Sequence, residues 1–279
     1  MKILITKLMG FVLNVTAIFY PSFAARKGLE LFSSPFRLTL KPEQVNFLKA
    51  AEIDEITLEE SYQIKVYRWG NGSKRILMLH GWQSHSFRWI KYIQKMEKED
   101  FTIFAFDAPG HGLSGGKLLN LPIFSTCMKA VIRRFGDMDF YMGHSMGAFA
   151  VLYSFHKLND IKAKGLILLA SPGNVKDYVD QYRKALGLSN KAYQLLIQHF
   201  NDLYKVDFFD FVAVKFQQNI SIPALIIHDK GDLDTDYTYS VRLHEQWPNS
   251  KLLLTEGLGH KLRSPKIISE VLDFMNNMN

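Results

Sequence analysis

Short apolar runs of strand length alternate with helix-length stretches through most of this chain after residue 50. Apolar runs of about four to eight residues are typical of buried strands, and the longer periodic stretches between them are typical of helices. The predicted strands span residues 53–58, 64–69, 75–79, 102–106, 140–142, 165–170, 224–227 and 251–254. The predicted helices span residues 87–98, 123–135, 146–158, 239–246 and 265–275. The alternation predicts an α/β fold with a mostly parallel eight-stranded sheet, helices on both faces and an antiparallel first strand pair.

Two segments fall outside this alternation. Residues 1–50 lack a convincing strand and are predicted to form an N-terminal helical extension to a main domain over residues 51–279. Within that domain, residues 172–220 carry aromatic and apolar residues at helical spacing and predict a small helical cap. Six aromatic residues of this interval fit either an apolar substrate pocket or the core of the cap itself: Tyr178, Tyr182, Tyr193, Phe200, Phe208 and Phe211.

The positive charge is concentrated at the amino end. The 279 residues have a formal net charge of +7, and residues 1–50 hold seven Lys or Arg against two Glu, which leaves +5 there. No dense basic run with interleaved aromatic residues occurs, so a nucleic-acid partner is not expected. Cys127 is the only cysteine, which excludes an intrachain disulfide and favours a cytoplasmic location.

The first 21 residues are strongly apolar, but Lys2, Thr6, Gly10 and Asn14 recur at every fourth position and Lys7 lies beside them. Three interpretations compete. A signal peptide over residues 1–24 would direct export, but Lys7 and Asn14 interrupt its apolar centre. A membrane span would need about 20 apolar residues, but this stretch is shorter and carries a charge. An amphipathic helix, lying on a membrane or packed on the protein's own core, explains the polar stripe best.

The motif Gly143-His144-Ser145-Met146-Gly147 follows a predicted strand and precedes a predicted helix. This G-x-S-x-G pattern fits a sharp strand-to-helix turn that lifts a serine hydroxyl clear of the sheet. The flanking glycines remove side chains that would collide in such a turn. Ser145 is therefore the predicted nucleophile.

A serine nucleophile needs a base, and the base needs a carboxylate that orients it. His260 follows the last predicted strand in a glycine-containing loop and is the predicted base. Asp232 lies past a glycine turn after another strand and is favoured as the acid, with Asp234 as the second choice. Asp229 is expected to shape the turn.

An oxyanion formed during acyl transfer needs two backbone donors. The N–H of Met146 directly follows the nucleophile. The loop His80-Gly81-Trp82, after the predicted strand that ends at Leu79, is expected to supply the second donor from the N–H of Trp82.

These motifs, together with Asp107 to Ser114, resemble the α/β-hydrolase superfamily in its esterase, lipase and serine-aminopeptidase-like branch. The resemblance covers residues 53–279 and implies an α/β-hydrolase fold with Ser145, Asp232 and His260 as the triad. It also implies Trp82 and Met146 as the oxyanion hole, and a structural role for the Asp107–Ser114 turn.

The implied activity is hydrolysis of a small carboxylic ester or related acyl substrate, with an apolar group, through an acyl-enzyme. No metal or organic cofactor is expected. Thioesterase, C–C bond hydrolase and peptidase activities use the same triad and stay open. So does a non-catalytic protein of this fold that binds a membrane or a partner. The sequence does not set the oligomeric state.

Overall fold

The computed structural model describes residues 2–58, 62–158 and 160–278. Its strands are β1 (Glu52–Thr57), β2 (Gln63–Trp69), β3 (Lys74–Leu79), β4 (Phe101–Phe106), β5 (Phe140–His144), β6 (Gly165–Leu169), β7 (Ala224–Asp229) and β8 (Ser250–Thr255). Its helices are α1 (Lys2–Phe19), α2 (Pro21–Phe32), α3 (Pro42–Lys49), α4 (Ile90–Met96), α5 (Leu121–Phe135), α6 (Met146–Lys157), α7 (Lys176–Leu186), α8 (Asn190–Tyr204), α9 (Ala213–Gln217), α10 (Thr238–Glu245) and α11 (Pro265–Asn276). Short 3-10 turns occur at Ser86–Trp89 and Phe208–Asp210.

Over these residues the strands form one eight-stranded sheet in the order β1-β2-β4-β3-β5-β6-β7-β8. β1 pairs antiparallel with β2, and β2 pairs antiparallel with β4. Every other pair is parallel. The predicted fold, a mostly parallel α/β sheet that opens with an antiparallel pair, is confirmed. The carboxyl ends of its parallel strands lie along one edge, which is where sites form in such sheets.

Both faces of the central strands are covered, because alternate side chains of a strand point to opposite faces. On one face, residues of β3 and β5 pack with α4 and α11: Ile76, Met78, Phe140, Met142, Ile93, Met96, Val271 and Met275. On the other face, three aromatic pairs join strands to α5 and α6: Phe104 with Phe135, Phe106 with Phe124, and Tyr141 with Phe155. This packing explains why the central strands read as continuous apolar runs.

The chain divides into two compact units. One comprises Met1–Ser34 with Asn174–Val212, and the other comprises Pro35–Gly173 with Ala213–Asn279. We call the first the helical unit, because it contains α1, α2, α7 and α8, and the second the sheet unit. The sequence-based division into residues 1–50 and 51–279, with a cap over 172–220, stays a prediction.

Within the helical unit, α2 packs on α8 at a glycine. A Cβ at Gly28 would lie 3.5 Å from Leu196, which is ordinary contact distance, and the hydroxyl of Tyr182 donates to the Gly28 carbonyl at 3.0 Å. Four of the six aromatic residues singled out in the sequence are buried here: Tyr193, Phe200, Phe208 and Phe211. The ring of Phe200 contacts those of Phe208 and Phe211. These contacts favour the core interpretation of the aromatic set.

No helix within the described ranges is both long enough and apolar enough to span a lipid bilayer.

Candidate active site

The sharp turn after β5 presents Ser145. Its backbone has φ 54° and ψ −126°, a conformation that is strained for a residue with a side chain. The N–H of Ser145 donates to the carbonyl of Leu169 at 2.8 Å, which ties the turn to the end of β6. α6 begins at the next residue, so the serine stands between a buried strand and a helix N-terminus.

The glycines of the motif are required by close backbone contacts. A Cβ at Gly143 would lie 2.4 Å from the Cα of Ala148, and one at Gly147 would lie 2.2 Å from the carbonyl oxygen of Leu79. Both neighbours are backbone atoms of packed elements and have little freedom to move. The turn therefore excludes side chains on both sides of Ser145.

His260 and Asp232 form a hydrogen-bonded pair. The loop after β7 carries Asp232 and the loop after β8 carries His260, whose Nδ1 lies 2.8 Å from Asp232 Oδ2. The side chain of Asp232 is fully buried, whereas that of His260 is 18% exposed. An ionised carboxylate can only accept, so the proton is on Nδ1 and Nε2 of His260 is left as the basic nitrogen.

The Asp232 carboxylate is surrounded by donors. Thr235 Oγ1 donates to Oδ2 at 2.7 Å, and the N–H groups of Asp234 and Thr235 donate to Oδ1 at 2.8 and 3.0 Å. His228 Nε2 lies 3.1 Å from Oδ2. Burial works to raise the pKa of Asp232, but the hydrogen bonds from His228, His260 and Thr235 outweigh it and hold the pKa well below the usual range. Asp232 is therefore ionised at neutral pH.

The other two aspartates of this segment are placed differently. Asp229 accepts from Thr255 Oγ1 and from the N–H groups of Gly231 and Leu258, so it holds the loops after β7 and β8 together. Asp234 is exposed, and among the described residues no hydrogen bond joins its carboxylate to His260.

Ligand atoms of Asp232, Asp234 and His260 nevertheless lie within 4.8 Å of one another, a spacing that could hold a cation. A cation bound there through Nδ1 would have to displace the hydrogen bond between His260 and Asp232.

A second set of contacts joins the loop of His260 to the turn of Ser145 through His144. The Nε2 of His144 lies 2.7 Å from the carbonyl oxygen of His260, and because a carbonyl only accepts, this nitrogen carries the proton. Its Nδ1 then accepts from the guanidinium of Arg88 at 2.7 Å. A second guanidinium nitrogen of Arg88 lies 3.4 Å from the carbonyl of Lys261.

These contacts hold the loop of His260 against the turn of Ser145, since His144 precedes Ser145 and touches the backbone of His260. Among the described residues, no hydrogen bond joins Ser145 Oγ to His260. Burial, followed by the charge of Arg88, holds the pKa of His144 well below its usual range, so its ring stays neutral. In the sequence, His144 is noticeable only as part of the motif around Ser145. No local pattern marks Arg88, which lies in the 3-10 turn before α4.

The loop after β3 approaches the serine closely at Gly81. A Cβ at Gly81 would lie 3.0 Å from the Cβ of Ser145, which is tighter than ordinary contact and favours a glycine there. The N–H of Gln83 is already used, because it donates to His111 Nε2 at 3.0 Å. Within the described part of the chain, neither the N–H of Trp82 nor that of Met146 makes a hydrogen bond. Trp82 follows Gly81 and Met146 follows Ser145 in the chain, and the role of these two N–H groups in an oxyanion hole stays a prediction.

Asp107 and His80 hold the loop after β3 in place through hydrogen bonds. The buried carboxylate of Asp107 accepts from the N–H of Ser86 at 2.7 Å and from the hydroxyl of Tyr67 at 2.8 Å. His80 Nε2 accepts from the N–H of Ala108 at 2.9 Å, and burial lowers the pKa of His80 to about 3. These contacts join the loop after β3 to the start of the Asp107–Ser114 turn.

The family comparison covers the turn of Ser145 but not Asp232 or His260. A family model described as "Serine aminopeptidase, S33" matches residues 70–208, about half of the chain. A search of curated proteins gives no match. The chain is a member of the α/β-hydrolase superfamily.

Solved structures support the same fold. An esterase from Exiguobacterium antarcticum has a TM-score of 0.64 at 18% identity, over 80% of this chain and 98% of that one. A monoacylglycerol lipase from Paleococcus ferrophilus has a TM-score of 0.60 at 22% identity, over 77% and 99%. A bromoperoxidase from Bacillus anthracis has a TM-score of 0.64 at 16% identity, over 81% and 100%. Since these proteins carry different activities in their names, the likeness defines the fold and the reaction has to be argued from the site.

Proposed function

We propose that the protein is a serine hydrolase that cleaves small carboxylic esters through an acyl-enzyme. The observation that carries this proposal is the 2.8 Å contact between His260 Nδ1 and Asp232, which leaves Nε2 as a base in a loop that His144 ties to the strained Ser145 turn. A turn of this shape, with a buried carboxylate behind the imidazole, is what a serine nucleophile requires.

In the first step, Ser145 Oγ attacks the ester carbonyl carbon while its proton passes to His260 Nε2. The negative charge of Asp232 stabilises the imidazolium that forms. The carbonyl oxygen becomes an oxyanion, which accepts hydrogen bonds from the N–H groups of Trp82 and Met146. Collapse of this intermediate breaks the bond to the alcohol, which leaves with the proton from His260.

In the second step, water attacks the acyl carbon of the acyl-enzyme. His260 takes a proton from that water, and collapse of the second intermediate returns the proton to Ser145 Oγ. The acid is released and the enzyme is regenerated. Each proton taken by the imidazole is given back within the cycle, so the reaction needs no added cofactor.

A panel of p-nitrophenyl esters of graded acyl length tests the activity and reports the size of the acyl pocket. The wild type should release p-nitrophenol, and Ser145→Ala should reduce the rate to that of the buffer. Ser84→Ala, a half-buried serine in the loop after β3, is the matched control and should keep the wild-type rate. Equal rates for wild type and Ser145→Ala would refute the proposal.

A serine peptidase is the second candidate, favoured by the family description that matches residues 70–208. The two activities share the triad and differ in the leaving group, an alcohol or an amine. Amino-acyl p-nitroanilides therefore belong in the same panel. Turnover of anilides but not of esters of the same acyl group would assign the peptidase.

A further inference from the structure

Helix α1 turns its polar stripe toward its own unit. The Asn14 side chain donates to one backbone carbonyl at 2.9 Å and accepts from one backbone N–H at 2.7 Å, both in the α7–α8 turn. Lys7 Nζ donates to a carbonyl near the end of α7 at 3.1 Å. A Cβ at Gly10 would lie only 1.9 Å from the carbonyl oxygen of Leu186, so the helix packs closest where it has no side chain.

The opposite side of α1 is apolar and exposed. We call it the outer face and define it by Leu4, Ile5, Leu8, Phe11, Val12, Val15, Ile18 and Phe19. Each of these side chains is between 38% and 75% exposed. A surface helix of a water-soluble domain normally has the reverse arrangement, with its apolar stripe inward and its polar residues in water. A contiguous apolar face of this kind marks an interaction surface.

The segment that carries the outer face is basic. Residues 1–29 contain four cations (Lys2, Lys7, Arg26 and Lys27) and no acidic residue before Glu30. Lys27 pairs with Glu30, whereas Arg26 is exposed and lies 5.9 Å from the ring centre of Phe23, itself 44% exposed. Pairing two copies through this face would bring two basic segments together. An anionic surface matches the charge.

We propose that the outer face docks on the surface of a phospholipid bilayer that contains anionic lipids. α1 lies parallel to the bilayer, its apolar side chains enter the acyl boundary, and Arg26 faces the headgroups. An interfacial helix binds through its buried apolar area together with attraction between its cations and anionic lipid. The polar stripe fixes the helix to α7 and α8, which leaves the apolar side free for lipid.

Flotation of the full chain with vesicles tests this proposal. The vesicles contain either phosphatidylcholine alone or phosphatidylcholine with about a third phosphatidylglycerol. The wild type should float with the anionic vesicles. Leu8→Gln with Phe11→Gln removes two outer-face side chains that are 60% and 64% exposed, while glutamine preserves helix propensity. Binding should weaken at least about tenfold.

The matched control is Leu203→Gln with Phe36→Gln, which removes the same two residue types at positions that are 57% and 74% exposed outside the outer face. It should bind as the wild type does. Arg26→Gln should weaken binding about fivefold on anionic vesicles and leave binding to neutral vesicles unchanged. Hydrolysis of soluble p-nitrophenyl acetate should be the same in all these variants, so the membrane proposal and the proposed activity fail independently.

Three results would overturn the proposal. The first is a wild type that floats with neither vesicle, and the second is a Leu8→Gln, Phe11→Gln variant that floats as well as the wild type. The third is a dimer of the wild type in the absence of vesicles, measured by light scattering, that the double variant dissociates. That result would assign the outer face to a second copy of the chain.

Discussion

Replacing Asp232 by Asn probes the charge behind the base. The carboxylate lies 2.8 Å from His260 Nδ1, and its side chain is fully buried, so water does not screen the pair. Asparagine has nearly the same size, which preserves the loop. The amide removes the negative charge. If its NH₂ group takes the place of Oδ2, it is a donor that faces the donors Thr235 Oγ1 and His260 Nδ1, so these hydrogen bonds are lost.

The magnitude follows from Coulomb's law. For charge centres about 3 to 4 Å apart and an effective dielectric of about 20, the attraction between imidazolium and carboxylate is about 4 to 6 kcal/mol. In the proposed reaction this attraction acts mainly after Ser145 has passed its proton to His260, so its loss should raise the barrier. Asp232→Asn should therefore reduce kcat by about 10³- to 10⁴-fold.

The assay is the initial rate of p-nitrophenyl acetate hydrolysis, with a far-UV circular dichroism spectrum to establish that each variant is folded. Asp234→Asn is the matched control, because Asp234 is exposed and its carboxylate makes no hydrogen bond to His260 in the described part of the chain. It should change kcat by less than about threefold. A folded Asp232→Asn variant that keeps a tenth of the wild-type kcat, or an equal loss in Asp234→Asn, would refute the reasoning.

Three further predictions concern the surroundings of the site. Arg88→Met should lower kcat about tenfold with little change in KM, because His144 loses the donor that fixes its tautomer. Arg88→Lys should restore part of the rate. An unchanged kcat in Arg88→Met would contradict this positioning role. Gly147→Ala should lower the melting temperature by about 5 °C or more, or prevent folding, because its Cβ would overlap the backbone at Leu79. Gly28→Ala, where a Cβ has ordinary contact distance, should be neutral or stabilising. Equal melting temperatures for the two variants would contradict this difference in packing. The pKa of His80 is about 3 in the folded state, below the ordinary 6.5, so the unfolded chain binds a proton first as the pH falls. The free energy of unfolding should therefore fall between pH 6.5 and pH 3, by about 1.4 kcal/mol per pH unit for such a group. A melting temperature that stays flat from pH 7 to 4.5 would exclude this linkage.

Much of the fold is readable in the sequence because buried parallel strands are apolar along their whole length. The run at residues 75–79 differs from β3 by one residue, and the antiparallel pair at the start of the sheet forms as predicted. The order of the strands in the sheet cannot be predicted in this way. Nothing local indicates that β4 lies between β2 and β3, because that order depends on which faces meet in three dimensions.

The site divides in the same way. The glycines around Ser145 announce a tight turn, since only a sharp backbone path needs them at that spacing. The choice between Asp232 and Asp234 stayed open in the sequence, because two residues in one loop differ only in where their side chains point. The contact between Arg88 and His144 joins positions 56 residues apart and has no periodic signal.

Helix α1 shows a related limit. Periodicity reveals a polar stripe but not which side of the helix packs on the protein. The default for a helix of a water-soluble domain is to bury the apolar side. Here Asn14 makes two hydrogen bonds with the α7–α8 turn, and Gly10 allows that turn to approach closely, so the stripe faces inward.

The central claim is that Ser145 is the nucleophile and that His260 and Asp232 activate it. Labelling with a fluorophosphonate probe, followed by digestion and mass-spectrometric mapping of the adduct, tests it most directly. One adduct per chain, located on Ser145, absent from Ser145→Ala and formed much more slowly in Asp232→Asn, is the predicted result. An adduct on another residue, or labelling of Ser145→Ala at the wild-type rate, would contradict it.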